Sequence, residues 1–464
     1  MSKINNILFN TDSYKVSMWK QYPEGSEYVY SYIEARSNNT PDNWYGYEDD
    51  GAVFFGLQAF IQDYLLTPVT ENDVALADAY WTAHGEPFNR EGWDYIVKQH
   101  GGFLPISIKA APEGSVISLR NVLCTVENTD PKVPWLTTWV ETALLRAIWY
   151  PSSVATLSRQ IKKLIKHYLE VTGDVNLLDF KLHDFGARGA KSNETAALGG
   201  MAHLINFKGT DTFVAVVKAI ESYGASISEV GFSIPAAEHS TITSWGRESE
   251  SSAYANMVSN FSKPGGIYAV VSDSYDIYHA CRIWGGELKD QVISSGGTLV
   301  IRPDSGDPEK VLPKMLEILE SDFGYTVNDK GFKVLNHVRL IWGDGINFKS
   351  IWNILHVLYT LQWSADNIAF GMGGALLDHV NRDTLGFAMK CSAICIDGEW
   401  HDVYKDPVTA SNKSSKKGRV VLSKDSYGYF STPETDRSIL VEVFRDGKLL
   451  VTNSFDEIRD RAKL

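Results

Sequence analysis

Cysteine is scarce in this chain of 464 residues, which contains four. They stand at Cys124, Cys281, Cys391 and Cys395. Their spacing forms no Cys-x-x-Cys pair and no zinc-type set, so neither a thiol oxidoreductase nor a structural zinc domain is indicated. A secreted protein held together by disulfides is also disfavoured. We expect reduced, mostly buried thiols in a cytoplasmic protein.

Long apolar runs and an excess of positive charge are also missing. No stretch is long enough to span a bilayer, and the polar segment Met1–Asn6 lacks a signal-peptide pattern. The chain has 44 Lys and Arg against 57 Asp and Glu, which gives a formal net charge of -13. We therefore expect no membrane insertion and no general binding to nucleic acids. The one basic cluster, Lys413–Arg419, is either a solvated loop or a lid that brings charge to phosphates.

The composition is that of a globular protein with large cores. Hydrophobic residues make up 44% of the chain and charged residues 22%. The length is sufficient for two or three domains.

The most informative stretch is the apolar run that ends at Arg302. Thr298–Ile301 shows no polar alternation, which is typical of a strand buried on both faces of a parallel sheet. Pro303 cannot donate to a strand ladder, so the strand should end there. Arg302 and Asp304 then lie at its C-terminal end, where α/β folds bind ligands. The pair suits a phosphorylated sugar, and the alternative is a local salt bridge.

Similar units recur through the middle of the chain. Strand-like runs precede His183-Asp184, Asp211, Asp273 and Asp344, and helical stretches separate most of them. Strand-then-helix units at a spacing of roughly 25–40 residues predict an irregular (β/α) barrel, which we place at residues 151–384.

Both ends of the chain have β character. Tyr28–Arg36 alternates, residues 103–128 contain further strands, and Asp446-Gly447 lies between two apolar runs as a hairpin turn. A helical pattern runs from Pro134 to about Val171. We predict that residues 1–150 and 385–464 form one β-rich α+β domain that flanks the barrel.

The residues at the predicted strand ends are rich in charge. A barrel can place them on one face, where arginines, carboxylates, a histidine and a glycine pair would suit a magnesium-bound, phosphorylated sugar. Each has a simpler alternative: Gly371–Gly374 as a tight turn, His239 as a helix cap, and Phe185 as a core residue. The set is Asp184, Phe185, Arg188, Asp211, His239, Asp273, Arg302, Asp304, Asp344, Gly373 and Gly374.

The same segments resemble the nicotinamide phosphoribosyltransferase family, in order along nearly the whole chain. The motifs are Thr-Asp-Ser-Tyr-Lys at 11–15, His-Asp-Phe-Gly-Ala-Arg-Gly at 183–189, Phe-Lys-Gly-Thr-Asp-Thr at 207–212, Pro-Ala-Ala-Glu-His-Ser-Thr-Ile at 235–242, Ser-Asp-Ser-Tyr-Asp at 272–276, Ile-Arg-Pro-Asp-Ser-Gly at 301–306 and Lys-Lys-Gly-Arg at 416–419. Ala187, Ala269 and Ala388 stand where members often carry a larger side chain.

The resemblance implies a type II phosphoribosyltransferase, an α/β barrel with a β-rich domain made from both termini, acting as a homodimer with shared sites. The implied reaction joins nicotinamide to 5-phosphoribosyl 1-pyrophosphate in NAD salvage. It yields nicotinamide mononucleotide and pyrophosphate, uses Mg2+, and is stimulated by ATP hydrolysis through phosphorylation of His239.

The resemblance also implies residue roles. The pyridine ring would lie between Phe185 and Tyr14 of the partner subunit, with Asp211 and Arg302 beside it. Asp273 and Asp304 would bind the metal. The catalytic residues would be His239, Asp304, Arg302 and Asp273. The phosphoribosyl and diphosphate groups would contact Arg188, His239, Arg302, Asp304, Gly343, Asp344, Gly373, Gly374, Arg382, Lys405 and Lys413.

Two other functions fit the same residues. Nicotinate phosphoribosyltransferase performs the same chemistry on the acid, but a carboxylate at Asp211 would repel nicotinate and accept a bond from an amide. A non-catalytic nucleotide-binding protein on this fold would be expected to lack some of Arg302, Asp304, His239 and Asp211, and all four are present.

Overall fold

The structure is a computed structural model that describes residues 5–40, 51–406 and 415–464. Its strands, in chain order, are β1 (Ser26–Ala35), β2 (Gly51–Val53), β3 (Ile106–Ala110), β4 (Val116–Ser118), β5 (Val122–Asn128), β6 (Leu182–Asp184), β7 (Gly209–Thr210), β8 (Ile267–Val271), β9 (Thr298–Arg302), β10 (Tyr325–Val327), β11 (Lys333–Leu335), β12 (Val338–Trp342), β13 (Ile368–Met372), β14 (Phe387–Ile396), β15 (Glu399–Asp402), β16 (Val420–Asp425), β17 (Gly428–Pro433), β18 (Val441–Arg445) and β19 (Lys448–Leu449).

The α-helices vary from single turns to one long helix. They are α1 (Leu57–Phe60), α2 (Glu71–His84), α3 (Arg90–His100), α4 (Leu136–Trp139), α5 (Glu141–Thr172), α6 (Asn193–His203), α7 (Phe213–Tyr223), α8 (His239–Thr243), α9 (Glu250–Phe261), α10 (Ile277–Gly285), α11 (Lys289–Ser294), α12 (Pro308–Phe323), α13 (Phe348–Thr360), α14 (Gly374–Leu377) and α15 (Phe455–Ala462). Short 3-10 helices cover Ser13–Lys20, Val175–Phe180, Ala187–Gly189, Arg247–Ser249 and Ala365–Asn367, and a π-helical turn covers Ile61–Leu65.

The chain divides into two compact units. The first contains residues 1–156, 218–225 and 380–463, and the second contains residues 157–217, 226–379 and 464. The eight residues 218–225 lie in the first unit, whereas the sequence analysis placed them within the barrel segment. The domain boundaries at residues 150 and 385 stay a prediction.

The first unit is built on an antiparallel sheet of seven strands in the order β15-β14-β1-β5-β3-β18-β19. Both termini contribute, because β1 pairs with β14 on one side and β5 on the other. The hairpin at Asp446-Gly447 is present, with φ of 49° and 81° at its two turn residues. A large apolar core that includes Trp93, Trp139 and Phe444 covers this sheet.

The second unit contains the predicted parallel sheet. Six strands lie in the order β7-β6-β13-β12-β9-β8, and the pairs between neighbours are parallel. The two edges are joined by the segment between α7 and α8, since Phe232 bridges Gly209 of β7 and Ala236 bridges Ala269 of β8. The strand ring is thus closed through isolated bridges, which confirms the prediction of an irregular (β/α) barrel.

The strands begin and end where the side chains require it. Leu299, Val300 and Ile301 are buried on β9, as expected for a strand covered on both faces. The strand ends at Arg302, immediately before Pro303, as predicted. The long helical pattern is confirmed with one difference, since α4 and α5 are separate helices. The amide of Gly173 closes α5 by donating to Leu169.

The sequence predicted buried, reduced cysteines and no segment that inserts into a membrane. The four cysteines are free thiols, and all except Cys391 are buried. Among the helices described, none is long and apolar enough to cross a bilayer.

Candidate active site

The predicted site residues of the second unit gather at the C-terminal ends of its parallel strands. Phe185 follows β6, Asp273 follows β8, Arg302 ends β9, Gly343 follows β12 and Gly373 follows β13. Parallel strands bring these ends to one rim of the barrel. The common face that the sequence analysis assumed is therefore present.

Phe185 is half-buried at this rim, and a glycine makes room for its ring. The amide of Phe185 donates to the carbonyl of Met372 at 3.0 Å, which fixes the backbone beside β13. A Cβ atom on Gly371 would lie 1.9 Å from Cε2 of Phe185, so any side chain at residue 371 would displace the ring. Gly343 approaches the same ring, at 3.4 Å for its hypothetical Cβ.

Below the ring lies a small apolar floor. Ala269, Val300 and Ile341 are buried side chains from three neighbouring strands, and Phe185 and Ile234 pack against them. Ala269 is one of the three alanines noted above. The floor therefore supports the ring of Phe185, and an aromatic face suits an aromatic ligand.

Asp211 carries a negative charge at this rim. Its Oδ1 accepts a hydrogen bond from Nε2 of His183 at 3.0 Å and another from Oγ of Ser233 at 2.5 Å. Burial would raise the pKa of the Asp211 carboxyl, but the hydrogen bonds from His183 and Ser233 and the charge of Arg302 hold it below its ordinary value. Asp211 is therefore ionised at neutral pH.

Arg302, Asp304 and Asp273 form a connected charged group. Nη2 of Arg302 donates to Oδ2 of Asp304 at 3.1 Å, so the salt bridge considered in the sequence analysis is present. Oδ2 of Asp273 accepts hydrogen bonds from the amide of Asp304 and from Oγ of Ser305. The guanidinium carbon of Arg302 also lies 6.0 Å from the centre of the Phe185 ring. Arg302 therefore lies near both the ring of Phe185 and the carboxylate of Asp304.

His239 lies beside both carboxylates. Its Nε2 is 3.7 Å from Oδ1 of Asp273 and 3.5 Å from Oδ2 of Asp304, and its Nδ1 is 3.3 Å from Oγ of Ser274. The side chain is 41% exposed. His239 is the first residue of α8 and Glu238 is the N-cap residue, so the alternative of a capping histidine does not describe its position.

Two buried polar atoms of this group have no hydrogen-bond partner in the part of the chain that the structure describes. They are Nε of Arg302 and Oδ1 of Asp273. Buried polar atoms normally have partners, so a ligand that reached either atom would complete its hydrogen bonding. The oxygens of Asp273 and Asp304 suit magnesium, which is usually held by one or two carboxylates together with substrate phosphates. Within the described residues, no group of three or more His, Cys, Asp or Glu forms a metal site by itself.

The remaining predicted residues of this unit lie around the same rim, except Asp184, which is fully buried at the end of β6 and accepts a hydrogen bond from the amide of Gly186. Arg188 is exposed on the 3-10 helix after β6, and Asp344 is exposed after β12. Gly373 and Gly374 begin α14, and a Cβ on either would meet only ordinary contacts, 3.8 Å and 4.0 Å away. Space therefore does not require glycine at these two residues; it requires glycine at Gly371.

Four predicted residues belong elsewhere in the chain. Tyr14 is 61% exposed on a 3-10 helix of the first unit. Arg382 pairs with Asp383, and Lys405 is exposed, also in the first unit. Lys413 lies outside the described residues. Of the basic cluster, Arg419 is bound to two carboxylates, those of Glu127 and Glu434.

Several residues of this site are not among those predicted from the sequence. His183, Ser233 and Ser305 all donate to its carboxylates, yet none was named as a site residue. His183 lies in the motif at residues 183–189, two residues before Phe185. Because alternate residues of a strand share a face, the prediction for Phe185 could have been extended to His183. Ser233 begins a segment, Ser233-Ile234-Pro235, that the sequence indicated as one of the repeating units, but its role as a donor was not predicted. Its position depends on the bridging segment.

Two protein-family models match the chain. That of the nicotinate phosphoribosyltransferase family matches residues 180–448, more than half of the chain. The chain belongs to this family. The model of the nicotinamide phosphoribosyltransferase N-terminal domain matches residues 6–108. The chain is therefore a phosphoribosyltransferase-family enzyme, as the resemblance indicated.

Curated members of the family align along the whole chain. A nicotinamide phosphoribosyltransferase of Xanthomonas campestris is 50% identical, covering 100% of this chain and 99% of the relative. One of Acinetobacter baylyi is 34% identical over 98% of this chain and 97% of the relative.

Solved structures support the fold. Nicotinate-nucleotide pyrophosphorylase of Pyrococcus furiosus has a TM-score of 0.63 at 17% identity, covering 100% of this chain and 95% of that one. Human nicotinic acid phosphoribosyltransferase has a TM-score of 0.57 at 14% identity, covering 97% and 92%.

Proposed function

We propose that this enzyme transfers the phosphoribosyl group of 5-phosphoribosyl 1-pyrophosphate to nicotinamide and so works in NAD salvage. The ring nitrogen of nicotinamide forms a bond to the ribose C1, and the bond from C1 to pyrophosphate breaks. Nicotinamide mononucleotide and pyrophosphate leave. The observation that carries this choice of base is the ionised Asp211 at the rim that holds Phe185.

The pyridine ring would lie on the face of Phe185 above the apolar floor. Its amide nitrogen would donate to Asp211, which is charged and accepts only. The carboxylate of nicotinate would instead face the same negative charge. This contrast supports nicotinamide over nicotinate.

The charged group supplies the rest of the chemistry. Transfer at the ribose carbon passes through a state with positive charge on the sugar, which nearby carboxylates such as Asp304 stabilise. Arg302, whose Nε has no partner among the residues described, would hold phosphate oxygens. Asp273 and Asp304 would supply oxygen ligands to a magnesium ion, and such an ion would bring positive charge to the pyrophosphate group.

We also propose that ATP acts through His239. A ring nitrogen of His239 would accept the terminal phosphoryl group, with release of ADP, and water would later remove that group as phosphate. The imidazole lies beside Asp273 and Asp304, so the phosphorylated form would place negative charge next to the proposed magnesium ligands. That charge would help to hold the metal and tighten binding of the phosphoribosyl donor.

The test of the base is a comparison of the two substrates. Purified protein is supplied with labelled nicotinamide or nicotinate, the phosphoribosyl donor and magnesium, with and without ATP. We expect nicotinamide mononucleotide as the main product and faster turnover with ATP. Equal turnover of nicotinate would contradict the role of Asp211, and no product from either base would indicate a binding protein instead.

The test of the ATP step is His239→Ala. We expect this variant to lose ATP hydrolysis and ATP stimulation while it keeps a slow synthesis of the mononucleotide. His167→Ala serves as the control, because His167 is an exposed histidine on α5. If the His239→Ala enzyme is still accelerated by ATP, the phosphohistidine role is wrong.

A further inference from the structure

Two hydrogen-bond donors converge on one oxygen of Asp211. Nε2 of His183 and Oγ of Ser233 lie 3.0 Å and 2.5 Å from Oδ1. They come from different parts of the second unit, the strand β6 and the segment that closes the barrel. Within the described residues, Oδ2 is the carboxylate oxygen left to accept from a ligand.

The direction of these bonds follows from the charge of Asp211. An ionised carboxylate can only accept, so His183 must carry a proton on Nε2 and Ser233 must turn its hydroxyl hydrogen toward Oδ1. Two donors on one oxygen fix the plane of the carboxylate. The orientation of Oδ2 is then set before any substrate arrives.

A glycine on the neighbouring strand gives His183 its place. His183 pairs with Gly209 across β6 and β7, and a Cβ on Gly209 would lie 2.6 Å from Nδ1 of His183. On its other side the imidazole lies 5.2 Å from the Phe185 ring, measured between centroids. His183 therefore lies next to both the ring of Phe185 and the carboxylate of Asp211.

We propose that His183 is a positioning residue for recognition of the substrate amide: together with Ser233 it occupies Oδ1 of Asp211 and so presents Oδ2 to the amide N–H. This inference rests on the proposed function. A carboxylate held in one orientation pays no further ordering cost when the amide binds. Nicotinate has no N–H to offer at that oxygen, so the fixed orientation benefits nicotinamide alone.

The test compares His183→Leu with His183→Gln. Leucine removes the donor, whereas the amide nitrogen of glutamine can reach nearly the position of Nε2. For His183→Leu we expect the KM for nicotinamide to rise about tenfold, kcat to stay within about twofold, and the KM for nicotinate to change little. His183→Gln should recover most of the loss. Calorimetry should give the same ratios for the dissociation constant of nicotinamide.

A second variant tests the same idea without removing the imidazole. Gly209→Ala forces the His183 ring away from its place, so it should also raise the KM for nicotinamide selectively. This variant keeps the proposal testable if His183→Leu does not fold. His100→Leu is the matched control, because His100 makes a similar contact with Asp130, at 2.8 Å, in the first unit. It should leave both KM values unchanged.

The outcomes separate this inference from the proposed function. If the unmodified enzyme does not use nicotinamide, the proposed function fails. If it does, but His183→Leu and Gly209→Ala keep the KM for nicotinamide within twofold, only the role of His183 is overturned. Equal losses with nicotinamide and nicotinate would also overturn it, because a merely structural histidine would affect both bases alike.

Discussion

Asp211 shows how one residue acquires its chemistry from its neighbours. A carboxylate that is partly withdrawn from water would normally take up a proton more readily. Here the donors His183 and Ser233 and the nearby Arg302 outweigh burial and lower the pKa of Asp211. These neighbours therefore keep on Asp211 the negative charge that distinguishes an amide from an acid.

The first prediction at this scale is for Asp211→Asn. Loss of a hydrogen bond to a charged acceptor should cost about 1.5–3 kcal/mol of transition-state binding, so kcat/KM for nicotinamide should fall about 10- to 150-fold. The value for nicotinate should rise, because the repelling charge is gone. Asp130→Asn, which alters the histidine-bonded carboxylate of the first unit, is the control. Unchanged substrate preference in Asp211→Asn would remove Asp211 from recognition.

The second prediction concerns the room beside Phe185. In Gly371→Ala the new methyl group would lie 1.9 Å from Cε2 of Phe185, so the ring must move. We expect the dissociation constant of nicotinamide to rise at least about tenfold, measured by calorimetry. Gly285→Ala is the matched control, because its methyl group would lie 2.4 Å from Cβ of Asp322, at the end of α10.

The control separates two effects of adding a methyl group. Both variants should melt at a lower temperature through overpacking. Only Gly371→Ala should weaken binding of the base. Wild-type affinity in Gly371→Ala would mean that the ring of Phe185 does not carry the pyridine.

At the scale of elements, Glu113 joins separate segments of the first unit. Its carboxylate accepts hydrogen bonds from the amides of Gly56, Leu57 and Gln58 at the start of α1, and from the hydroxyl of Tyr223. The group is 3% exposed. Burial raises the pKa of Glu113 to about 7, and the hydrogen bonds from these neighbours offset only part of that rise.

The resulting prediction is a pH dependence of stability. The folded pKa lies above the ordinary value of 4.5, so the folded state binds more protons between the two values. The contribution of Glu113 to the free energy of unfolding is therefore complete below about pH 4.5. It is lost as the pH rises toward 7, by up to about 3 kcal/mol. Urea unfolding of the wild type and of Glu113→Gln at a series of pH values measures the difference.

Glu113→Gln should lack the part of the pH dependence of stability that Glu113 causes. Glu442→Gln is the control, since Glu442 is a partly exposed carboxylate on β18 paired with Arg445. Its slope should match that of the wild type. If the free energy of unfolding changes with pH equally in the wild type and in Glu113→Gln, then Glu113 stays ionised because the three amides stabilise its charge.

At the scale of the whole molecule, we propose a homodimer in which Tyr14 of the partner subunit faces Phe185. Tyr14 is a large aromatic side chain that is 61% exposed in the single chain, which supports a role against another surface. Aromatic faces on both sides of a pyridine ring bind it better than one. Residues such as Arg382 and Lys405 would also act within such a dimer.

The prediction is complementation between inactive chains. Tyr14→Ala and Phe185→Ala should each be inactive alone. After subunit exchange, half of the dimers are mixed and each has one intact site, so about a quarter of the wild-type activity should return. Mass-tagged subunits report whether exchange has occurred. No recovery after proven exchange would mean that each site is built from a single chain.

Some features of this protein follow from the sequence alone, because they depend on neighbouring residues. The apolar run before Arg302 and the proline after it determine where β9 begins and ends. The Asp446-Gly447 turn needs positive φ at both residues, which this pair tolerates. A strand end also fixes which side chains reach the rim, so Phe185, Asp273, Arg302 and Asp304 could be placed there in advance.

Other features were decided only by the tertiary structure. His183 lies 28 residues before Asp211 and meets it because β6 pairs with β7. Ser233 lies 22 residues after Asp211 and reaches it because the segment before α8 bridges β7 and β8. The need for glycine at Gly371 arises from the ring of Phe185, which follows the neighbouring strand β6. A local sequence pattern does not predict such contacts, because it depends only on residues a few positions apart. Which donors reach a carboxylate depends on how the chain closes on itself.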